Sequence, residues 1–332
     1  MPIAQEIMFQ GEVSPPQYPS TSPNFTVLKK DSAIRYVVGG NVLGGGLSKV
    51  YQSYNYQQGH VAALKTARTE QEKQLLKLEK TVLKKIRHPY VPAILGYLES
   101  LLIDDSSVRV DCIEISLVKG RSLKGQLNRN KQSKIALTLG ESIDIICETA
   151  NVLEDVYQNH GILHGDLSPD NVLLADEDNH PHIIDWPLSP SVFNRSQKGV
   201  AGTITHLAPE ILLERTNYTR AAETYALGVM LHELVSGQWL YGAIPDMPNA
   251  ELQFAFLSAV VLTNTGHTLS QDCPNLDKML PSDTLKSLEK ITQKASTKDP
   301  AVRYASPTEL AIELKKWKIA NQRFIETSYC YS

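Results

Sequence analysis

The chain has 332 residues, 42% of them hydrophobic and 21% charged, with a formal net charge of -3. That length holds one large two-lobed domain or two ordinary ones, and the composition is that of a soluble globular protein. A charge so near neutral argues against a nucleic-acid or membrane-surface role, and no apolar run approaches the roughly 18 residues of a membrane span. Cys112, Cys147, Cys273 and Cys330 are far apart and form no CxxC pair, which argues against a disulfide framework or zinc site and for a reducing compartment. With no basic and apolar leader at the N-terminus, the expectation is a cytoplasmic protein.

Residues 1–32 carry Pro15, Pro16, Pro19 and Pro23 among Ser, Thr, Gln and Asn. Such a stretch buries too little apolar surface to offset its ordering entropy, so it reads as a flexible arm, open to a regulatory partner. From Tyr36 the pattern becomes short strands. Leu43-Gly44-Gly45-Gly46-Leu47-Ser48-Lys49-Val50 sits between two of them, and Val61-Ala62-Ala63-Leu64-Lys65 follows. Glycines let backbone N–H groups come close to phosphate oxygens, although a hairpin turn needs glycine as well.

Glu70 to Ile86 has the helical period, with Leu75, Leu76, Leu78, Val82, Leu83 and Ile86 on its apolar face. Within it Glu79 lies ten residues before Pro89, while Glu72 reads as solvent-facing. Residues 93–118 read as alternating strands, and Ser142 to Asn159 as a long amphipathic helix. The chain then reaches His164-Gly165-Asp166-Leu167-Ser168-Pro169-Asp170-Asn171. Val172-Leu173-Leu174 and His182-Ile183-Ile184 flank a polar turn and read as a hairpin, which would hold Asp166, Asn171 and Asp185 at fixed separations. Two carboxylates and an amide oxygen suit a hard cation such as Mg²⁺, with one carboxylate left to orient a hydroxyl nucleophile. The plainer reading is a surface turn rich in Asp and Asn.

These stretches together resemble the eukaryotic-like (Hanks-type) serine/threonine protein kinases. His164 to Asn171 and Asp185-Trp186-Pro187 are similar to the family's HRDxxxxN and DFG loops, and the strand ending in Lys65 to its VAIK strand. Gly202-Thr203 through Ala208-Pro209-Glu210 resembles the GTxxYxAPE end of an activation segment, Glu223 to Leu231 the buried helix F, and Lys298-Asp299-Pro300 with Arg303 the late KDPxxR motif. The resemblance runs from about residue 36 to 318.

It implies an α+β bilobal fold, with a small mainly β N-lobe at 33–115 containing one key helix, and a larger mainly α C-lobe at 116–332. It implies ATP and Mg as cofactors and a protein as substrate, with no nucleic acid. Lys65, paired with Glu79, would hold the phosphates, Asp166 would orient the acceptor hydroxyl, and Asn171 and Asp185 would bind the metal. Leu43, Gly44, Gly45, Gly46, Ser48, Val50, Ala63 and Leu173 would contact the nucleotide. Thr203 matches the threonine that serine/threonine enzymes place against the catalytic aspartate. Arg303 would pair with Glu210, and Ile113 and Ile115 are both candidates for the gatekeeper.

Departures from the pattern carry their own expectations. Ser48 stands where the third loop glycine belongs, and Leu43 or Gly44 takes the first glycine's place according to how the loop is aligned. Ser168 replaces the catalytic-loop lysine that neutralises the transferred phosphoryl group, so slower chemistry follows. Gly165 replaces the arginine that binds a phosphorylated activation loop, so activity independent of that phosphate follows. The alternatives are a pseudokinase acting as a nucleotide-binding scaffold, and a small-molecule phosphotransferase of the same fold.

Overall fold

The computed structural model describes residues 25–31, 33–45, 49–103, 107–133, 137–186, 204–213 and 218–325. The chain divides into two units, one of residues up to Lys80 with Ala93–Leu117, the other of Thr81–Pro92 with residues from Val118 onward.

The first unit is a closed antiparallel barrel of β1 (Phe25–Lys30), β2 (Ala33–Gly45), β3 (Lys49–Asn55), β4 (His60–Ala67), β5 (Ile94–Ile103) and β6 (Arg109–Ile115), in the order β1-β2-β3-β4-β6-β5. Leu28, Tyr36, Val38, Leu64, Leu101, Val110 and Cys112 share its core. β1 corrects the expectation of an arm through residue 32. Thr26-Val27-Leu28 is a β-forming run; it pairs with β2 at Val27↔Val37 and with β5 at Leu28↔Ile103. In doing so it covers two sheet edges that would otherwise stay open. Residues 1–24 of the expected arm lie outside the described residues. The barrel also buries a carboxylate. Glu114 accepts hydrogen bonds from Tyr36 Oη at 2.9 Å and Asn55 Nδ2 at 2.9 Å, and faces His60 Nε2 at 2.8 Å.

Helix α1 (Glu70–Leu83) begins with a capping box: the Thr69 hydroxyl accepts from Glu72 N and the Glu72 carboxylate from Thr69 N. Glu72 therefore caps the helix rather than only facing solvent. The helix ends at Leu83 and not at Ile86; its last turn tightens, Lys85 N donating to Val82 O.

The second unit is mainly helical. It holds a small sheet of β7 (Gly120–Ser122), β8 (Val172–Ala175) and β9 (Pro181–Ile183), then α2 (Leu123–Ser133) and α3 (Leu139–His160). Helices α4 (Pro209–Leu212), α5 (Arg220–Ser236), α6 (Ala250–Thr263), α7 (Leu269–Asp272), α8 (Leu276–Met279), α9 (Ser282–Ala295) and α10 (Pro307–Ile325) follow. α3 starts three residues earlier than its apolar stripe suggests, because Thr138 and Glu141 form a capping box, and stops at Gly161, whose φ of 65° suits glycine. α5 is buried on every side from Ala222 to Ser236, the mark of a central helix. A Cβ on its Gly228 would stand 2.8 Å from Ala295 Cβ, so glycine there lets α9 approach closely. No helix among the described residues is long and apolar enough to cross a membrane.

Candidate active site

In the barrel unit, Lys65 lies on β4 between Val50 of β3 and Ile113 of β6. Its Nζ is 2.7 Å from Glu79 Oε2 on α1, and both side chains are largely buried. Glu79 reaches it because Leu76 and Ile113 pack in one cluster with Ile94, Tyr97 and Ile115, holding α1 against the sheet. Ile113 and Ile115 share that cluster, so the two gatekeeper candidates stay unseparated. Ala63 is buried opposite Ile115. Leu43, Gly44 and Gly45 form the end of β2, with Gly44 opposite Val50 and Gly45 opposite Lys49. Gly46 and Ser48 lie outside the described residues.

In the helical unit, the two loops expected to carry the chemistry meet around His164. Its Nδ1 accepts from Asp166 N at 3.2 Å, so the proton must sit on Nε2, which donates to Ile184 O at 2.9 Å. Burial holds the ring neutral, with its pKa lowered to about 4. Asn171 closes a short 3₁₀ turn (Pro169–Asn171) and donates from Nδ2 to Asp166 O at 2.8 Å, while its own carbonyl accepts from Ile184 N at 3.0 Å. Ser168, at the N-cap of that turn, is buried. Leu173 is on β8 opposite His182. Asp185 has a φ of 54°, a region Asp tolerates better than most residues. Trp186 after it is fully buried, donating from Nε1 to Ile183 O at 2.9 Å and lying edge-on to His164. Asp166, Asn171 and the Asp185 loop are thus brought together through His164 and Ile184. Thr203 lies outside the described residues.

Arg303 forms a buried fork on Glu210, Nη1 to Oε1 at 2.8 Å and Nη2 to Oε2 at 2.7 Å. Its remaining N–H groups go to the carbonyls of Thr297, Ala221 and Lys298. All five guanidinium donors are therefore used, which makes this a geometric anchor rather than a surface ion pair.

A family profile for the protein kinase domain matches residues 36–313. The chain belongs to the protein kinase family. A probable serine/threonine-protein kinase PknB of Lactococcus lactis is 26% identical to this kinase over 293 residues, 85% of this chain and 42% of that protein. The serine/threonine-protein kinase pkn3 of Myxococcus xanthus is 24% identical over 300 residues, 86% of this chain and 50% of its own. The kinase chain thus spans half or less of the length of these relatives. The crystal structure of the Mycobacterium tuberculosis PknI kinase domain aligns with a TM-score of 0.57 at 20% identity, covering 85% of this chain and 95% of that one. The bilobal kinase fold, β-rich N-lobe and helical C-lobe, is shared.

Two groups of this kinase escaped the sequence reading. Glu223 on α5 accepts from His164 N at 2.5 Å, tying the His164–Asn171 loop to the central helix. Burial pushes its carboxyl up to about 8, against the opposing effect of that hydrogen bond. Its motif was visible, but nothing in the sequence says that a charged residue in the first helical turn points inward. Glu233, also on α5, lies 3.1 Å from both Lys124 Nζ and His206 Nε2. Burial alone would raise its pKa, but these two partners hold it at about 2. Trp239 Nε1 donates to Thr205 O at 2.8 Å, so the stretch ending at Glu210 is pinned at Thr205, His206 and Glu210.

Proposed function

We propose that this protein transfers the γ-phosphoryl group of ATP to serine or threonine hydroxyls of a protein substrate. The Lys65–Glu79 ion pair at 2.7 Å carries the reading. In this reading the Glu79 carboxylate orients the Lys65 ammonium, whose positive charge suits the phosphate oxygens of ATP. Gly44 and Gly45, with Leu43, Val50, Ala63 and Leu173, complete the nucleotide contacts in this reading.

Asp166 is the residue that orients the acceptor hydroxyl. Support comes from its backbone, held on one side by the neutral His164 ring and on the other by Asn171. Asn171 spends its amide N–H on Asp166 O and so keeps its side-chain oxygen as an acceptor; with the Asp185 carboxylate this is an oxygen donor set fitted to Mg²⁺. Bound there, magnesium supplies charge neutralisation on the phosphate oxygens. We assign the barrel, β1 included, to the N-lobe and the helical unit to the C-lobe, with the lobe boundary near residue 115; the division of the units after Leu117 supports that boundary. A cytoplasmic setting accords with Cys112, Cys147 and Cys273 as buried free thiols.

Ser168 favours a second reading, a nucleotide-binding scaffold with no turnover, because it offers no cation to the phosphoryl group. Phosphoprotein detection with ATP, run on wild type beside Asp166→Asn, separates the two. Turnover falling by about 100-fold or more in the variant is expected from loss of a positioned base. Turnover absent from both proteins leaves the scaffold reading.

A further inference from the structure

The helical unit holds a cavity of about 420 Å³ walled by α5, α9 and the segment joining α6 to α7. Its size is within the usual range of small-molecule sites, and no catalytic-loop residue lines it. Its walls are built with care for one side chain, His267. The His267 N–H donates to Leu240 O at 2.7 Å, docking this segment on the Trp239–Gly242 turn. Gly242 has a φ of 86°, and a Cβ there would stand 3.0 Å from His267 Cε1, so the ring lies directly over a glycine. His267 Nδ1 is 2.9 Å from Asp272 Oδ1, and the other oxygen of Asp272 is 2.9 Å from His232 Nε2.

The charges around this cavity are unevenly satisfied. Asp272 is held between two imidazoles, and Glu289 accepts from both the N–H and the hydroxyl of Ser270 at 2.9 and 2.7 Å. Both carboxylates are therefore engaged. Lys298, by contrast, donates to a single neutral group, Leu262 O at 2.8 Å, and has no carboxylate partner among the described residues. Burial draws its pKa down, the effect of a cation losing water without gaining a counter-ion. His232 adds a second unmet group. Its side chain is 1% exposed, and its Nδ1 has no hydrogen-bond partner among the described residues. Burial also disfavours its charged form, so with Nε2 donating to Asp272 that Nδ1 is an acceptor.

We propose that this cavity is a binding site for a compact oxyanion-bearing ligand, a carboxylate or a phosphate monoester, that pairs with Lys298 and His267. An anion there supplies the counter-charge that Lys298 lacks. The site is separate from phosphoryl transfer and stands whether or not the chain turns over ATP.

Malate and glycerol 3-phosphate represent the two chemistries, titrated calorimetrically into the full chain against chloride at matched ionic strength. At least one should bind saturably. Lys298→Gln and His267→Gln should each weaken that binding about tenfold or more, the loss of one charge-assisted hydrogen bond. Lys65→Met should leave it unchanged. Circular dichroism checks that the variants fold, and if Lys298→Gln does not, His267→Gln decides. Binding no stronger than chloride overturns the proposal. So does binding that survives both cavity variants, or that disappears in Lys65→Met, which would put the anion at the nucleotide phosphates.

Discussion

At His164 one ring joins the Asp166 and Asp185 loops, and it does so only in the neutral form with the proton on Nε2. Glu223, bonded to the same residue's N–H, is also held neutral by burial, so two adjacent groups titrate in opposite senses. His164 has its pKa lowered to about 4, so stability falls as pH drops from 6.5 toward 4, where the unfolded chain takes a proton that the fold refuses. Glu223 has its pKa raised to about 8, so its contribution is complete below pH 4.5 and is lost as pH rises to 8. Between 4.5 and 6.5 the two slopes oppose, and each is at most about 1.4 kcal/mol per pH unit. Glu223→Gln should therefore flatten the decline in denaturant-measured stability between pH 6.5 and 8. An unchanged alkaline slope would show that another group sets it. Glu223→Ala, which strands the His164 N–H, should cost about 1–3 kcal/mol at pH 7 by the same measurement.

Two glycines decide how elements meet. Gly165 stands where the family has arginine, and its φ of 82° is a conformation that side chains resist. The substitution is therefore a backbone feature as well as a lost charge. Restoring the family residue with Gly165→Arg should destabilise the fold by about 1–2 kcal/mol and should not create phosphate-dependent activity. Chemical denaturation and a phosphatase-treated activity comparison check the two halves of that statement. Gly228 governs the contact of α5 with α9. Gly228→Ala places a methyl 2.8 Å from Ala295 Cβ and 3.0 Å from backbone atoms that cannot swing aside. A loss of about 1–3 kcal/mol is expected in a urea melt, despite alanine's better helix propensity.

For the whole molecule, the proposed function makes ligand binding and stability one measurement. Mg-ATP that binds only the folded chain should raise its melting temperature. Asp185→Ala should keep the shift given by ATP alone and lose the part that depends on magnesium. A magnesium-dependent shift of wild-type size in that variant would remove Asp185 from the metal site. Glu79→Gln should reduce the ATP shift itself, because Lys65 then loses its charged partner on α1.

Much of this architecture was legible in the chain because it is local or repeats in a fixed order. Lys65 on a short apolar strand, Glu79 on the apolar side of a periodic helix and the hairpin that follows Asn171 are short-range patterns, and the structure places them accordingly. The Arg303–Glu210 fork is distant in sequence but was carried by motif order. Tertiary structure alone decided the rest. β1 looked like part of a polar, proline-rich arm, and its pairing with β5 depends on an edge that exists only once the barrel has formed. Nothing local to Glu114, Glu223 or Glu233 names the groups that face them, yet each is buried against partners from other elements. Propensity and periodicity act over a few residues, whereas desolvation is set by whatever the folded chain brings alongside. The orientation of a charged side chain and the cavity beside Lys298 belong to that second kind of information.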